Sequence, residues 1–75
     1  MGEVLFKEGD FVIPDNPGKD RVFLKKCEVN HKIPKENFIG KKCRVIIISK
    51  EKIARILNEE GESCWWTIRH LRKAA

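Results

Sequence analysis

Apolar residues in this chain come in short bursts, and Gly, Pro, Asn and Asp separate the bursts. Such spacing predicts an all-β fold of small strands. The first piece is 6–13, entered through Glu8-Gly9-Asp10 and closed by Pro14. Residues 14–20 form a turn-rich loop in which Pro14 and Pro17 fix backbone φ and Gly18 supplies conformations other residues avoid. The stretch 21–29 reads as a second strand of alternating character. A further loop over 30–37, holding Pro34, runs into Phe38-Ile39-Gly40. The strongest strand is 41–49, because Val45-Ile46-Ile47-Ile48 is β-branched throughout and stiff side chains of that kind pack well on a pleated surface. Next comes 62–68, with Trp65, Trp66, Thr67 and Ile68 together. Leu71 closes the fold on a short helical turn, and 72–75 trails off.

The stretch between the two strong strands reads two ways. As a helix, Ser49 caps it, Ile53, Ile56 and Leu57 share a face and Gly61 ends it. As a hairpin, 53–58 is a strand, Gly61 sits in the turn and the preceding β-branched strand gains the neighbour it needs. The hairpin is the favoured reading.

Strand side chains alternate between two faces, which turns the pattern into a map of inside and outside. Cys64, Trp66 and Ile68 form the more apolar set of their strand and are expected inward, with Ser63, Trp65 and Thr67 outward. The same reasoning puts Cys43, Val45 and Ile47 inward and Arg44, Ile46 and Ile48 outward. Val12 is the inward residue of the first strand, opposite in facing to Phe11 and Ile13. Ala54 and Ile56 face away from Ile53, Arg55 and Leu57. Phe11, Ile46, Ile48, Leu57 and Trp65 are too many apolar groups to hide on the outer side of so small a chain. They predict an apolar patch flanked by Arg44, Arg55 and Arg69, a combination that marks interaction surfaces and binding hot spots. The competing expectation is that 21–37 packs over this face, with Phe23, Leu24 and Phe38 filling it.

Length allows one domain, 1–75, with a small core. The net charge of +5 is unevenly placed: residues 1–40 hold seven basic and seven acidic residues, whereas 41–75 hold nine basic against four acidic. That asymmetry favours an anionic partner, although a small domain also uses such charge for solubility. The longest apolar run, Val45–Ile48, is far below the roughly 20 residues that span a bilayer. With no basic leader followed by an apolar stretch, a cytoplasmic protein without a membrane partner is expected. Three cysteines without a CxxC pair argue against a zinc ribbon or a redox motif. Cys27, His31, Cys43 and Cys64 would make a four-ligand zinc set, but packed free thiols are the better expectation, and no cofactor is foreseen. His31 and His70 lie among basic residues, no nucleophile–base pair has a defensible spacing, and there is no glycine-rich phosphate loop. The chain is not expected to be an enzyme.

The order of pieces resembles SH3-like small barrels. Phe6-Lys7-Glu8-Gly9-Asp10-Phe11-Val12 resembles their opening GD-x-V strand. Ile39-Gly40-Lys41-Lys42-Cys43-Arg44-Val45-Ile46 resembles the glycine that enters a central strand, and 53–57, the Gly61 turn, 64–68 and Arg69-His70-Leu71-Arg72-Lys73 resemble the last hairpin and terminal turn. Small proteins of phages and mobile elements look like this. The KOW version of the barrel, associated with ribosomes and polymerases, is matched in part: Gly40 is in place, but Cys43 stands where a second glycine is expected. With no Tyr for an aromatic shelf, proline-motif recognition is not implied. The resemblance implies one barrel of about five strands, with a long loop after the first strand and a short terminal helical turn. Two functions then compete. One is a non-enzymatic protein-interaction module, a phage or mobile-element regulator acting on a host complex or self-associating through Trp65, Arg44, Arg55, Arg69, Ile46, Ile48 and Leu57. The alternative is a nucleic-acid-binding barrel, with the basic second half on phosphates and Trp65 stacked on a base.

Overall fold

The computed structural model describes residues 6–27 and 34–74. Its centre is a meander of three antiparallel strands, β2 (Cys43–Ile48), β3 (Ile53–Leu57) and β4 (Ser63–Thr67). Two tight turns make it. Between β2 and β3, Ser49 N–H reaches the Ile53 carbonyl at 2.9 Å and Lys52 takes the left-handed φ of +64° that closes the turn. Between β3 and β4, Asn58 and Glu62 are joined at 2.9 Å around Gly61, whose φ is +87°. Glycine meets that requirement without steric cost, and the hairpin reading of 50–61 therefore holds over the helical one. Good helix formers in this stretch are overridden because a helix would leave one side of β2 without a hydrogen-bonded neighbour.

Strand β1 (Phe11–Pro14) pairs antiparallel with β2, and β5 (Leu71–Lys73) pairs with the other side of β1, giving the order β4-β3-β2-β1-β5. The fold is all-β in its sheet, with five strands as expected. It is not closed into a barrel: among the described residues β4 and β5 are the two sheet edges, linked by a 3-10 turn over Ile68–His70 rather than by a ladder. Leu71, expected on the closing helical turn, and residues 72–73, expected to trail off, form the fifth strand; the helical turn lies just before it at Ile68–His70.

The stretch expected as a second strand is a helix, α1 (Arg21–Lys26). Two local features decide this. The Asp20 side chain accepts the Val22 N–H at 2.9 Å, a standard N-cap. Phe23 and Cys27, four apart, then fall on one helical face, and both are buried. The far end of the expected strand lies outside the described residues. A single 3-10 turn, Lys35–Asn37, follows and delivers Phe38 to the core. Trp66 is the hub of that core at 1% exposure. Phe23 meets it edge-on at 4.8 Å between ring centroids, and Phe38 lies tilted at 6.2 Å. Val12, Val45, Ala54, Ile56 and Cys64 complete the buried floor.

Candidate functional site

Residues directly opposite in an antiparallel ladder project to the same side, so the strand register defines the outer face. One row across it is Phe11–Arg44–Leu57–Ser63, and the next is Ile47–Arg55–Trp65. In each row an arginine stands between two apolar side chains. Strict alternation along β2 would put Ile47 inside, but the register slips by one residue between Val45 and Ile47. A bulge of this kind inserts one extra residue and resets the facing of everything beyond it. Ile46 and Ile47 are consequently both exposed, at 37% and 45%, while Ile48 is turned onto the core beside Ala54 and Trp66. Ile48 is thus corrected from outward to inward, and Ile47 from inward to outward.

The other expected site residues divide. Arg44 and Arg55 are exposed on the outer face, Leu57 is half-buried there, and Trp65 is half-buried and packs against the core. Arg55 is braced by Ser63, whose Oγ accepts from its Nε at 3.1 Å and from its Nη2 at 3.0 Å. Arg69 does not join them. It lies in the 3-10 turn after β4, 3.8 Å from Asp20. Phe11, 49% exposed, carries the Lys42 ammonium 4.6 Å above its ring, a cation–π contact. Beside it is a shallow depression of about 250 Å³, with Phe11 and Leu57 as its apolar lining and Lys42, Arg44 and Glu59 at its charged rim. The described parts of the long connection after β1, up to residue 27 and from residue 34, pack on the opposite face. Phe23 and Phe38 are buried against Trp66 on the other side, and Leu24 is exposed.

Two polar clusters hold the edges of the sheet. Asn58, buried, is an anchor that sequence reasoning missed. Its Oδ1 accepts the N–H groups of Glu60 at 3.0 Å and Glu62 at 2.9 Å, and its Nδ2 donates to Glu62 Oε1 at 3.1 Å and to the Asn37 carbonyl at 3.3 Å. Asn37 Nδ2 also donates to Glu62 Oε1, at 3.0 Å. The signal was present, since Asn followed two or three residues later by Gly is turn chemistry. The second cluster ties α1 to the 3-10 turn: His70 Nε2 lies 2.7 Å from the Asp20 carboxylate, and Arg72 pairs with Asp15 at 3.0 Å. The His70 contact, with the Val22 and Phe23 amides and Arg69 adding to it, holds the Asp20 carboxyl below its ordinary value.

Cys43 and Cys64 are free thiols, and they and Cys27 are buried. Burial first, then neighbouring negative charge, pushes the Cys43 thiol up to about 11 and the Cys64 thiol up to about 12. Thiols that resist ionisation are poor nucleophiles and poor metal ligands. Among the described residues no three His, Cys, Asp or Glu side chains are grouped as a metal centre requires, and His31 lies outside those residues. No described helix is long and apolar enough to cross a membrane.

Comparison of this chain with protein-family models, with curated proteins and with solved structures returns no match.

Proposed function

We propose that this chain is a small, non-enzymatic protein-interaction module of the SH3-like type, docking a partner on the outer face of its sheet. The long connection after β1 and the 3-10 turn between the last two strands support the SH3-like reading, while kinship with phage or mobile-element regulators rests on the sequence resemblance alone. The observation that carries the functional reading is the exposed set Phe11, Ile46 and Ile47, contiguous with Arg44 and Arg55. Single exposed apolar residues are ordinary, but several together beside arginines are characteristic of contact surfaces.

The test is capture from nuclease-treated lysate by the wild type and by the Arg44→Glu and Ile47→Glu variants, with sedimentation of the purified chain to detect self-association. A partner held by the wild type and lost by both variants, each melting close to the wild type, supports the proposal. Capture that disappears with nuclease moves the role to nucleic acid. Equal capture by wild type and variants removes this face from the function.

A further inference from the structure

Strands β1 to β5 read FVIP, CRVIII, IARIL, SCWWT and LRK, and no Asp or Glu occurs in any of them. The sheet therefore has no carboxylate of its own to answer Arg44 and Arg55, and neither arginine forms an ion pair among the described residues. Asp10 and Asp15 flank β1: the Asp10 carboxylate accepts the Lys7 N–H at 3.0 Å, and Asp15 is committed to Arg72. Glu59 stands at the rim of the depression and not on the strands. Two uncompensated guanidinium groups thus sit in a field of apolar side chains.

Their arrangement is a checkerboard. Arg44 lies between Phe11 and Leu57, and Arg55 lies between Ile47 and Trp65, so cations occupy one diagonal and Leu57 and Ile47 the other. Same-side neighbours along a strand are about 7 Å apart, and adjacent strands are about 5 Å apart. An extended chain carries its own alternate side chains at the same repeat. We propose that the outer face binds an extended segment of a partner protein whose every second residue faces the sheet, those facing positions being by turns acidic (Asp or Glu) and aliphatic. This rests on the reading of the face as a protein-docking surface and names the chemistry of its partner. Carboxylates would meet Arg44 and Arg55, where planar guanidinium favours paired hydrogen bonds. Aliphatic groups would cover Ile46, Ile47 and the Phe11–Leu57 depression.

The same side chains disfavour nucleic acid. Ile46, Ile47 and Leu57 have no π-face on which a base could stack. Trp65 is half-buried against the core, and the Phe11 ring is already faced by the Lys42 ammonium. A stacking platform needs open aromatic faces, and here one ring is half-buried and the other already has a cation over one of its faces.

The experiment is an NMR titration of the ¹⁵N-labelled chain with three probes. The first is a synthetic peptide in which Glu or Asp and Leu or Ile take turns at every second position, with Ser at the positions between them. The second has Lys in place of each acid, and the third is an oligothymidylate of equal charge to the first. The acidic peptide is expected to shift the amides of Arg44, Ile47, Arg55 and Leu57, with affinity falling several-fold between low and physiological salt. The Arg44→Glu/Arg55→Glu variant, keeping the wild-type dispersion of its spectrum, should lose the acidic peptide and gain the lysine one. If that double variant fails to fold, Arg44→Glu alone should weaken the acidic peptide. Equal shifts from the acidic and lysine peptides would overturn the acidic partner while leaving the docking face standing. Binding of the oligonucleotide with neither peptide would overturn both. No shift from any probe would overturn the inference, and the capture experiment would still judge the face.

Discussion

The inner and outer faces of the sheet are made from alternate residues of the same strands, yet they are finished by opposite rules. On the inner face, Val45, Ile56 and Cys64 form one buried row, and Ala54 and Trp66 lie beside it under Phe23 and Phe38. On the outer face, the rows through Arg44 and Arg55 are open to solvent over much of their length. Alternation does not create this difference, because both faces carry apolar residues. The connection after β1 creates it by placing Phe23, Cys27 and Phe38 on one side only. The lesson is a division of labour: the inner face holds the stability, and the composition of the outer face is not explained by folding.

The tryptophan pair tests that division most severely. Trp66→Ala should destabilise the chain by about 3–5 kcal/mol, since it removes the hub that Phe23 and Phe38 pack against. Trp65→Ala, on the outer row and only half-buried, should cost clearly less. Denaturant unfolding of both variants measures the gap. Equal losses would mean that the outer face is as structural as the inner one, and the comparison would collapse.

A smaller effect is expected at Asn58, the point where the hairpin is pinned to the Asn37 carbonyl. Asn58→Ala strands the N–H groups of Glu60 and Glu62 and should cost about 1–3 kcal/mol, read by the same unfolding assay. Its amide shifts should cluster at 37 and 58–62 and leave Arg44 and Ile47 unmoved. Shifts spreading across the outer face would show that the face depends on this edge.

The gentlest test is alkaline pH, because the shifted thiols Cys43 and Cys64 both belong to the inner face. In the unfolded chain they ionise near the ordinary 9.0, whereas in the folded chain they hold their protons to about 11 and 12. Above that ordinary value the unfolded state binds fewer protons, so their contribution to stability is intact below it and falls as pH rises through 9 towards 12. Melting temperature against pH should show that fall, and it should be shallower in Cys64→Ala. An identical slope in the variant would mean Cys64 is open to solvent.

Much of the sheet was legible because its signals are local. The β-branched run at 45–48 and the turn at Gly61 mark three strands, and the apolar partners of Trp66 mark its side of β4. The helix α1 was misread as a strand because a six-residue element offers less than two turns of periodicity. What identifies it is Asp20 as a cap with Phe23 and Cys27 four apart. Closure of the barrel could not be judged from strand count, since it depends on whether β4 and β5 meet across the chain. On the outer face, Arg44, Arg55, Leu57 and Trp65 fell where alternation put them. Ile47 and Ile48 exchanged sides because a bulge has no reliable signature within four consecutive β-branched residues. Arg69 was assigned by proximity in sequence, whereas the 3-10 turn carries it to Asp20.

The slip in β2 also changes what mutation can do there. In a regular strand, losing one residue inverts the facing of every residue beyond it, so such deletions are purged together with the fold. Here Ile47 already opposes Arg55 and Ile48 already opposes Ala54, with Ile46 as the surplus residue. Removal of Ile46 would leave those partners matched and take one isoleucine from the surface. Loss of a single codon at this point would therefore alter the outer face while the interior kept its pattern, a route closed to a strand without a bulge.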